Sequence, residues 1–90
     1  MEYNKLISMR IQQLNRERNY SLNYLATRAE VSRSTLDNIV ECRIKSPSLI
    51  TIHSVAIAYD MSIPEFLNFE SMSGVTLKDL RRNKPKNNRK

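Results

Sequence analysis

The side chains best suited to specific recognition lie in one short segment near the middle of the chain. Wound as a helix at about 100° per residue, this segment places four short or forked hydrogen-bonding side chains opposite its apolar residues: Arg33, Ser34, Asp37 and Asn38. Arginine can bond a guanine at O6 and N7, and asparagine can bond an adenine at N6 and N7. A solvent face selected only for helix propensity more often carries Glu, Lys and Ala. The pattern therefore favours contact with base edges.

No set of residues suited to catalysis or metal binding accompanies this face. The single cysteine, Cys42, excludes a disulfide within the chain. Because His53 is the only other soft ligand, a zinc site with four Cys or His ligands is also excluded. There is no Ser/His/Asp or Cys/His grouping and no glycine-rich phosphate loop. We therefore expect a protein that is not an enzyme and that needs no cofactor or metal. Cys42 is expected to be an inert loop thiol, and His53 a partly buried packing residue.

Five helices are predicted to position the polar face. The helical spacing of apolar residues predicts them over residues 4–18, 22–29, 33–41, 49–59 and 63–69. Ser21, Ser32 and Ser48 are suited to N-caps, and Ser62-Ile63-Pro64-Glu65 fits a capping box. Strand-like alternation is scarce, so the predicted fold class is all-α.

The apolar faces of these helices predict one shared core. Leu49 is expected to point inward from the fourth helix, and Arg10 to face away from the core on the first. Residues 22–41 form two short helices around a turn too tight for them to lie antiparallel. Their inward set is Leu25, Ala26, Ala29, Val31, Leu36 and Ile39. This arrangement is typical of a helix-turn-helix.

Positive charge is concentrated at the C-terminal end. The formal net charge is +6, with eight basic and seven acidic side chains in residues 1–69 and seven and two in residues 70–90. We expect a compact domain over residues 1–69 and a basic tail over residues 70–90, in which residues 76–82 can form one short helix. From residue 83 onward only Lys, Arg, Asn and Pro occur, which predicts disorder in isolation. The tail is either a solubilising end or an arm that binds DNA phosphates.

Residues 5–67 resemble a lambda-repressor-like, Xre-type helix-turn-helix DNA-binding domain. Each motif that carries the resemblance is weak evidence alone. All of them together, in this order and with these spacings, are specific to the family. The motifs are Ile7, Ile11, Leu14, Tyr20-Ser21, Leu25-Ala26, Ala29, Val31-Ser32-Arg33-Ser34-Thr35-Leu36, Ile39, Pro47-Ser48-Leu49, Val55-Ala56 and Ser62-Ile63-Pro64-Glu65. The resemblance implies a compact five-helix fold whose second helix supports the third, which enters the major groove of double-stranded DNA.

The resemblance also assigns the candidate base contacts. Arg33, Ser34 and Asn38 fall at positions that usually touch bases in this family. Asp37 lies on the same face, where it is expected to orient Arg33 or to reject wrong sequences.

Phosphate contacts are implied at four further positions. Thr35 and Arg43 match positions where such contacts are common, and Lys45 is a candidate beside them. Ser48 sits at a helix N-terminus, whose backbone amides can face a phosphate.

These features predict a sequence-specific transcriptional regulator, a repressor that binds a two-fold operator as a homodimer. Ile50 and Ile57 stand where relatives often have polar residues, which makes them candidates for the dimer surface. No apolar run approaches the ~20 residues that span a bilayer, and the first residues lack the apolar stretch of a signal peptide. We expect a cytoplasmic, nucleoid-associated protein encoded by a bacterium or a phage, with no membrane partner.

Two other functions stay open. One is an antitoxin that represses its own operon. The other is a protein-interaction module, with a protein partner, that kept the fold but lost operator binding. Leu22, Glu30 and Val40 favour the module because they depart from the family pattern. At the turn, where relatives usually have Gly, a left-handed Glu30 would cost roughly 1–2 kcal/mol.

Overall fold

The computed structural model describes residues 2–80, which form seven helices and no strand within that range. The helices are α1 (Tyr3–Arg18), α2 (Leu22–Ala29), α3 (Arg33–Val40), α4 (Leu49–Ala58), α5 (Ile63–Leu67), α6 (Glu70–Ser73) and α7 (Leu77–Leu80). α1 packs against α3, α2 packs against α3 and α4, and α4 packs against α5. The all-α fold class is confirmed. The disorder expected from residue 83 onward lies outside the described residues.

Serine caps set the start of four helices. The hydroxyl oxygens of Ser21, Ser32, Ser48 and Ser62 accept hydrogen bonds from the amides three residues further along, at 3.0 to 3.2 Å. At α5 the amide of Ser62 also donates to the carboxylate of Glu65 at 2.8 Å, which completes a capping box and lowers the pKa of that carboxyl. Because each cap satisfies an amide that the helix leaves unpaired, the predicted starts of α2 to α5 are confirmed.

The turns between helices use left-handed backbone without glycine. Asn19, Glu30, Cys42 and Asp60 have φ between 57° and 60°. Glu30 ends α2, and the next amide, that of Val31, donates back to the carbonyl of Ala26 at 3.1 Å. For a side chain with a Cβ this conformation costs roughly 1–2 kcal/mol. The tight turn predicted before α3 is therefore present, and Glu30 carries its strain.

Tyr59 lies at the centre of the core. Its ring stacks between those of Tyr20 and Phe66, with centroids 5.7 and 6.1 Å away. The hydroxyl donates to Oδ1 of Asn15 at 2.6 Å, and burial raises the pKa of this phenol. The buried residues around it are Ile7, Ile11, Leu14, Leu25, Ala26, Ala29, Leu36, Ile39, Ile52, Val55, Ala56, Ala58 and Phe66.

The predicted core face of α4 is wrong at Leu49, and the partial burial predicted for His53 is also wrong. Leu49 is 69% exposed and His53 is also exposed, whereas Ile52, Val55 and Ala56 are buried. At about 100° per residue, Leu49 and His53 lie beside this buried stripe and not within it. Because nearly every side chain of α4 is apolar, the sequence offers little contrast by which to locate the buried face.

Arg10 was expected to face away from the core, but it is buried and fixes the end of α5. Its Nε donates to the carbonyl of Phe66 at 2.7 Å, and its Nη2 donates to that of Glu65 at 3.0 Å. A cation bound to the last carbonyls of a helix also complements the helix dipole. α5 therefore ends at Leu67, two residues before the predicted Phe69.

Candidate nucleic-acid interface

The third helix presents a polar face because its apolar face is anchored. Leu36 and Ile39 are buried, while Arg33 and Ser34 in the first turn are exposed. The N-cap Ser32 places these two side chains at the start of α3, immediately after the tight turn. In a helix-turn-helix the first residues of the second helix are the ones that reach base edges. Arg33 and Ser34 are therefore exposed at the start of α3, as the sequence predicts.

Arg33 is held by two oxygen atoms from two different helices. Its Nε donates to Oδ1 of Asp37 at 2.9 Å, one turn further along α3. Its Nη1 donates to Oδ1 of Asn23 on α2 at 2.7 Å. The structure thus brings Arg33 and Asp37 together, as their spacing on a helix requires. The contribution of Asn23 was not anticipated from the sequence, because residues ten positions apart on separate helices share no periodic pattern.

Asn38 and Arg43 form a second pair at the end of the same face. The backbone amide of Arg43 donates to the carbonyl of Asn38 at 2.8 Å, and its Nη1 donates to Oδ1 of Asn38 at 3.2 Å. Asn38 is half-buried on α3, and Arg43 is exposed in the loop that follows. Lys45 is exposed in the same loop. The structure therefore places an amide on the helix and two cations in the loop beside it.

The three hydroxyl candidates are engaged in the caps. Ser34 Oγ lies 3.3 Å from the cap hydroxyl of Ser32, and the Thr35 hydroxyl lies 2.7 Å from it. Ser48 Oγ accepts from the amide of Thr51 at 3.1 Å, so its own role is to cap α4. No hydrogen bond among residues 2–80 joins Ser48 to α3. Ser34 and Thr35 therefore lie with Arg33 at the start of α3, whereas Ser48 lies at the start of α4.

The loop after α3 is tied to α1 by polar contacts that sequence reasoning missed. The hydroxyl of Ser8, buried on α1, donates to the carbonyl of Val40 at 2.7 Å. The side-chain amide of Asn4 donates to the carbonyl of Ile44 at 3.0 Å. These bonds fix the end of α3 and the start of its loop relative to the core. A single serine between Ile7 and Met9 gave no sequence signal for this role.

Three arginines that contribute to the basic composition are directed at helix ends. Arg18 and Arg28 donate to the backbone carbonyls of Tyr59 and Ala58, where α4 finishes. Arg10 does the same for α5. Because cations stabilise the carbonyl end of a helix, these side chains act in folding. The positive charge of the predicted interface therefore comes from Arg33, Arg43 and Lys45.

Helix α4 carries a group of exposed apolar side chains. Leu49 is 69%, Ile50 79% and Ile57 59% exposed, and His53 lies between them. At about 100° per residue these four side chains fall within one face of the helix. Exposed apolar side chains grouped in this way often mark a protein contact. We call this group the α4 stripe.

Within residues 2–80 no helix combines the length and apolar content needed to cross a bilayer. The same residues contain no group of three or more His, Cys, Asp or Glu side chains arranged to hold a metal ion.

Comparison with known proteins agrees with this geometry. A family model for the Cro/C1-type HTH DNA-binding domain matches residues 10–71. The crystal structure of the prophage Lp1 protein 11 is similar at a TM-score of 0.73 and 28% sequence identity, covering 83% of this chain and 100% of that one. A chain of the SinR protein/SinI protein complex is similar at a TM-score of 0.62 and 30% identity, covering 84% of this chain and 88% of that one. No curated protein sequence matches the chain.

Proposed function

Because this chain belongs to the Cro/C1-type helix-turn-helix DNA-binding family, we propose that it is a sequence-specific repressor of transcription. In this proposal α3 lies in the major groove of an operator, and the chain binds as a homodimer. The observation that carries it is the exposed start of α3, where Arg33 and Ser34 stand over a buried anchor of Leu36 and Ile39. An arginine in that place can bond O6 and N7 of a guanine.

The proposed contacts divide into two kinds. Arg33, Ser34 and Asn38 would read bases, because they are short or forked hydrogen-bonding groups on the exposed side of α3. Arg43 and Lys45 would bind phosphates, because they are exposed cations in the loop beside that helix. Phosphate contacts position a protein on the duplex, while base contacts select the sequence.

Thr35 and Ser48 would contribute at helix starts. Both lie in first turns whose backbone amides can face a phosphate. The amide and the hydroxyl of Thr35 both already contact the cap hydroxyl of Ser32, and the hydroxyl of Ser48 accepts from Thr51. The expected contribution to DNA binding therefore comes from the other backbone amides of these two helix starts.

A homodimer is supported by the α4 stripe and by the size of the domain. One such domain reads only a few base pairs, and two copies related by a two-fold axis double the site. A second copy that covers Leu49, Ile50 and Ile57 would remove their apolar surface from water. The half-sites would then lie about one helical turn, 34–36 Å, apart.

A protein partner is the second candidate role, and the same stripe favours it. One structural neighbour is a chain of the SinR protein/SinI protein complex, in which two different proteins are associated. An antitoxin or an interaction module would use the α4 stripe for a different chain. Leu22 at the start of α2, in place of a residue that binds phosphate or base, points the same way.

Selection of bound duplexes from random-sequence DNA tests the proposal. We expect the chain to enrich a short sequence repeated in inverted orientation, and then to protect such a sequence upstream of its own gene in a footprint. The matched control is Arg33→Ala, which should enrich a less defined sequence. Failure of the wild-type chain to enrich any sequence would contradict the repressor and select the interaction module.

A further inference from the structure

We propose that Asn23 and Asp37 are positioning residues that hold the guanidinium of Arg33 in one orientation before DNA is bound. The inference rests on the proposed function, in which Arg33 reads a base. It adds a residue of α2 to the specificity of α3, and it gives the acidic residue on the reading face a defined task.

The geometry of Arg33 is the observation that carries the inference. Asp37 accepts from Nε at 2.9 Å and Asn23 accepts from Nη1 at 2.7 Å, so two different nitrogens of one planar group are fixed. A plane held at two points cannot turn freely. Among residues 2–80, Nη2 has no hydrogen-bond partner. The group is therefore oriented by the protein while donors remain for an external acceptor.

Orientation matters because arginine is a long and flexible side chain. A free guanidinium loses rotational freedom when it forms a bidentate contact, and a pre-oriented one loses less. A guanine presents O6 and N7 in a fixed plane in the major groove. Asn23 and Asp37 would thus favour the one plane in which Arg33 meets a guanine, at the expense of other bases.

Asp37 has a second consequence that Asn23 lacks. Its carboxylate lies beside the charge of Arg33 on an exposed surface. The pair therefore carries less net positive charge than Arg33 alone, which weakens its attraction to the phosphates of a duplex that lacks the preferred base. We expect Asp37 to reduce binding that has no sequence preference, and so to widen the difference between operator and other DNA.

A purely structural role would have a different signature. An exposed pair at i, i+4 contributes little to stability, and Asn23 is exposed as well. If these contacts served only to join α2 to α3, their loss would lower the melting temperature and leave base preference unchanged. If Asn23 bound DNA itself, its loss would weaken binding independently of Arg33.

A double-mutant cycle separates these cases. The probes are the duplex most enriched by the wild-type full chain from random-sequence DNA, and the same duplex with each base pair changed in turn. We expect Asn23→Ala to weaken binding about three- to tenfold and to relax preference at the base pair that Arg33→Ala also relaxes. In the Arg33→Ala background the same change should have no further effect. Asn68→Ala, at an exposed asparagine beyond α5, is the control and should leave binding unchanged.

Two substitutions of Asp37 separate orientation from charge. Asp37→Asn keeps an oxygen acceptor for Nε, so it should retain base preference while it raises affinity for unrelated duplex. Its salt slope should steepen by up to about 0.9, the contribution of one phosphate. Asp37→Ala removes the acceptor as well, so it should also lose preference at the Arg33 base pair.

The inference is overturned if the effects of Asn23→Ala and Arg33→Ala add, because Asn23 then acts without Arg33. It is also overturned if Asn23→Ala lowers the melting temperature and leaves base preference intact. Failure of the proposed function looks different: the wild-type chain would enrich no sequence, and Arg33→Ala would make no difference to binding.

Discussion

At the scale of single residues, Arg33 and Arg10 show how position decides what an arginine does. Arg10 is buried and donates to two backbone carbonyls at the end of α5, so its charge stabilises a helix terminus. Arg33 lies at an exposed helix start and is held by side chains. Both are arginines of the first half of the chain. Of these two arginines, only Arg33 is exposed to solvent.

Arg33→Ala is expected to weaken binding to the selected operator by roughly 1–3 kcal/mol and to relax preference at one base pair of each half-site. The physical reason is the loss of the hydrogen bonds to O6 and N7 of one guanine. Competition binding with single-base operator variants measures this. An equal loss of affinity for all sequences would assign Arg33 to a phosphate contact instead.

At the scale of elements, the turn between α2 and α3 decides which part of α3 is exposed. Glu30 has φ 57° and ψ 42°, and only Val31 and Ser32 separate it from α3. The short turn keeps α2 in contact with α3 while the start of α3 stays exposed. The strain at Glu30 is the cost of that geometry in a sequence without glycine at this point.

Glu30→Gly is expected to stabilise the domain by up to about 1 kcal/mol, because glycine has no Cβ to clash in the left-handed region, and part of the gain is offset by its flexibility when unfolded. Thermal unfolding monitored by circular dichroism measures the change. Glu30→Ala is the matched control: it removes the same charge but keeps the Cβ, so it should give no gain. Equal stabilisation by both substitutions would show that charge and not backbone strain is responsible.

At the scale of the whole molecule, two further surfaces lie apart from the exposed face of α3. The α4 stripe is apolar and uncovered, and the chain from residue 70 onward carries seven of the fifteen basic side chains. The first is suited to a second protein chain because its burial removes apolar surface from water. The second is suited to a polyanion because seven basic side chains there face only two acidic ones.

Ile57→Lys is expected to weaken operator binding and to shift the chain toward monomer, because a charge placed in the α4 stripe must lose water when two copies meet. Sedimentation of the free protein and of its complex with operator measures the stoichiometry. Leu77→Lys, at an exposed leucine of α7, is the control and should leave both unchanged. A wild-type complex with one chain on a non-repeated site would contradict the dimer.

Deletion of residues 83–90 is expected to flatten the salt dependence of operator binding without changing the preferred sequence. Each neutralised phosphate contributes about −0.9 to the slope on duplex DNA, so an arm that engages three or four phosphates accounts for about 3 to 4 of it. Operator affinity measured against salt concentration gives the slope. A full-length chain with Gln in place of Lys84, Lys86, Arg89 and Lys90 should match the truncated chain. Equal slopes in the wild-type and truncated chains would make the tail a solubility element or a site for a protein partner.

The sequence by itself determined the starts of the helices and the face of α3. Serine caps and apolar spacing act over three or four residues, so the positions of α2 to α5 and the exposure of Arg33 and Ser34 followed from local rules. The tight turn before α3 followed from the same rules. These features depend on interactions within one helix or between immediate neighbours, and such interactions can be identified from residue order alone.

The tertiary structure decided everything that depends on residues far apart in the chain. The burial of Arg10 and the early end of α5 come from a contact across 55 or more residues, and the exposure of Leu49 and His53 depends on which side of α4 meets α2 and α5. The contact from Asn23 to Arg33 crosses between two helices. Pairings of this kind are fixed by how whole helices pack, because many side chains share the choice of partner and no single stretch of sequence contains it.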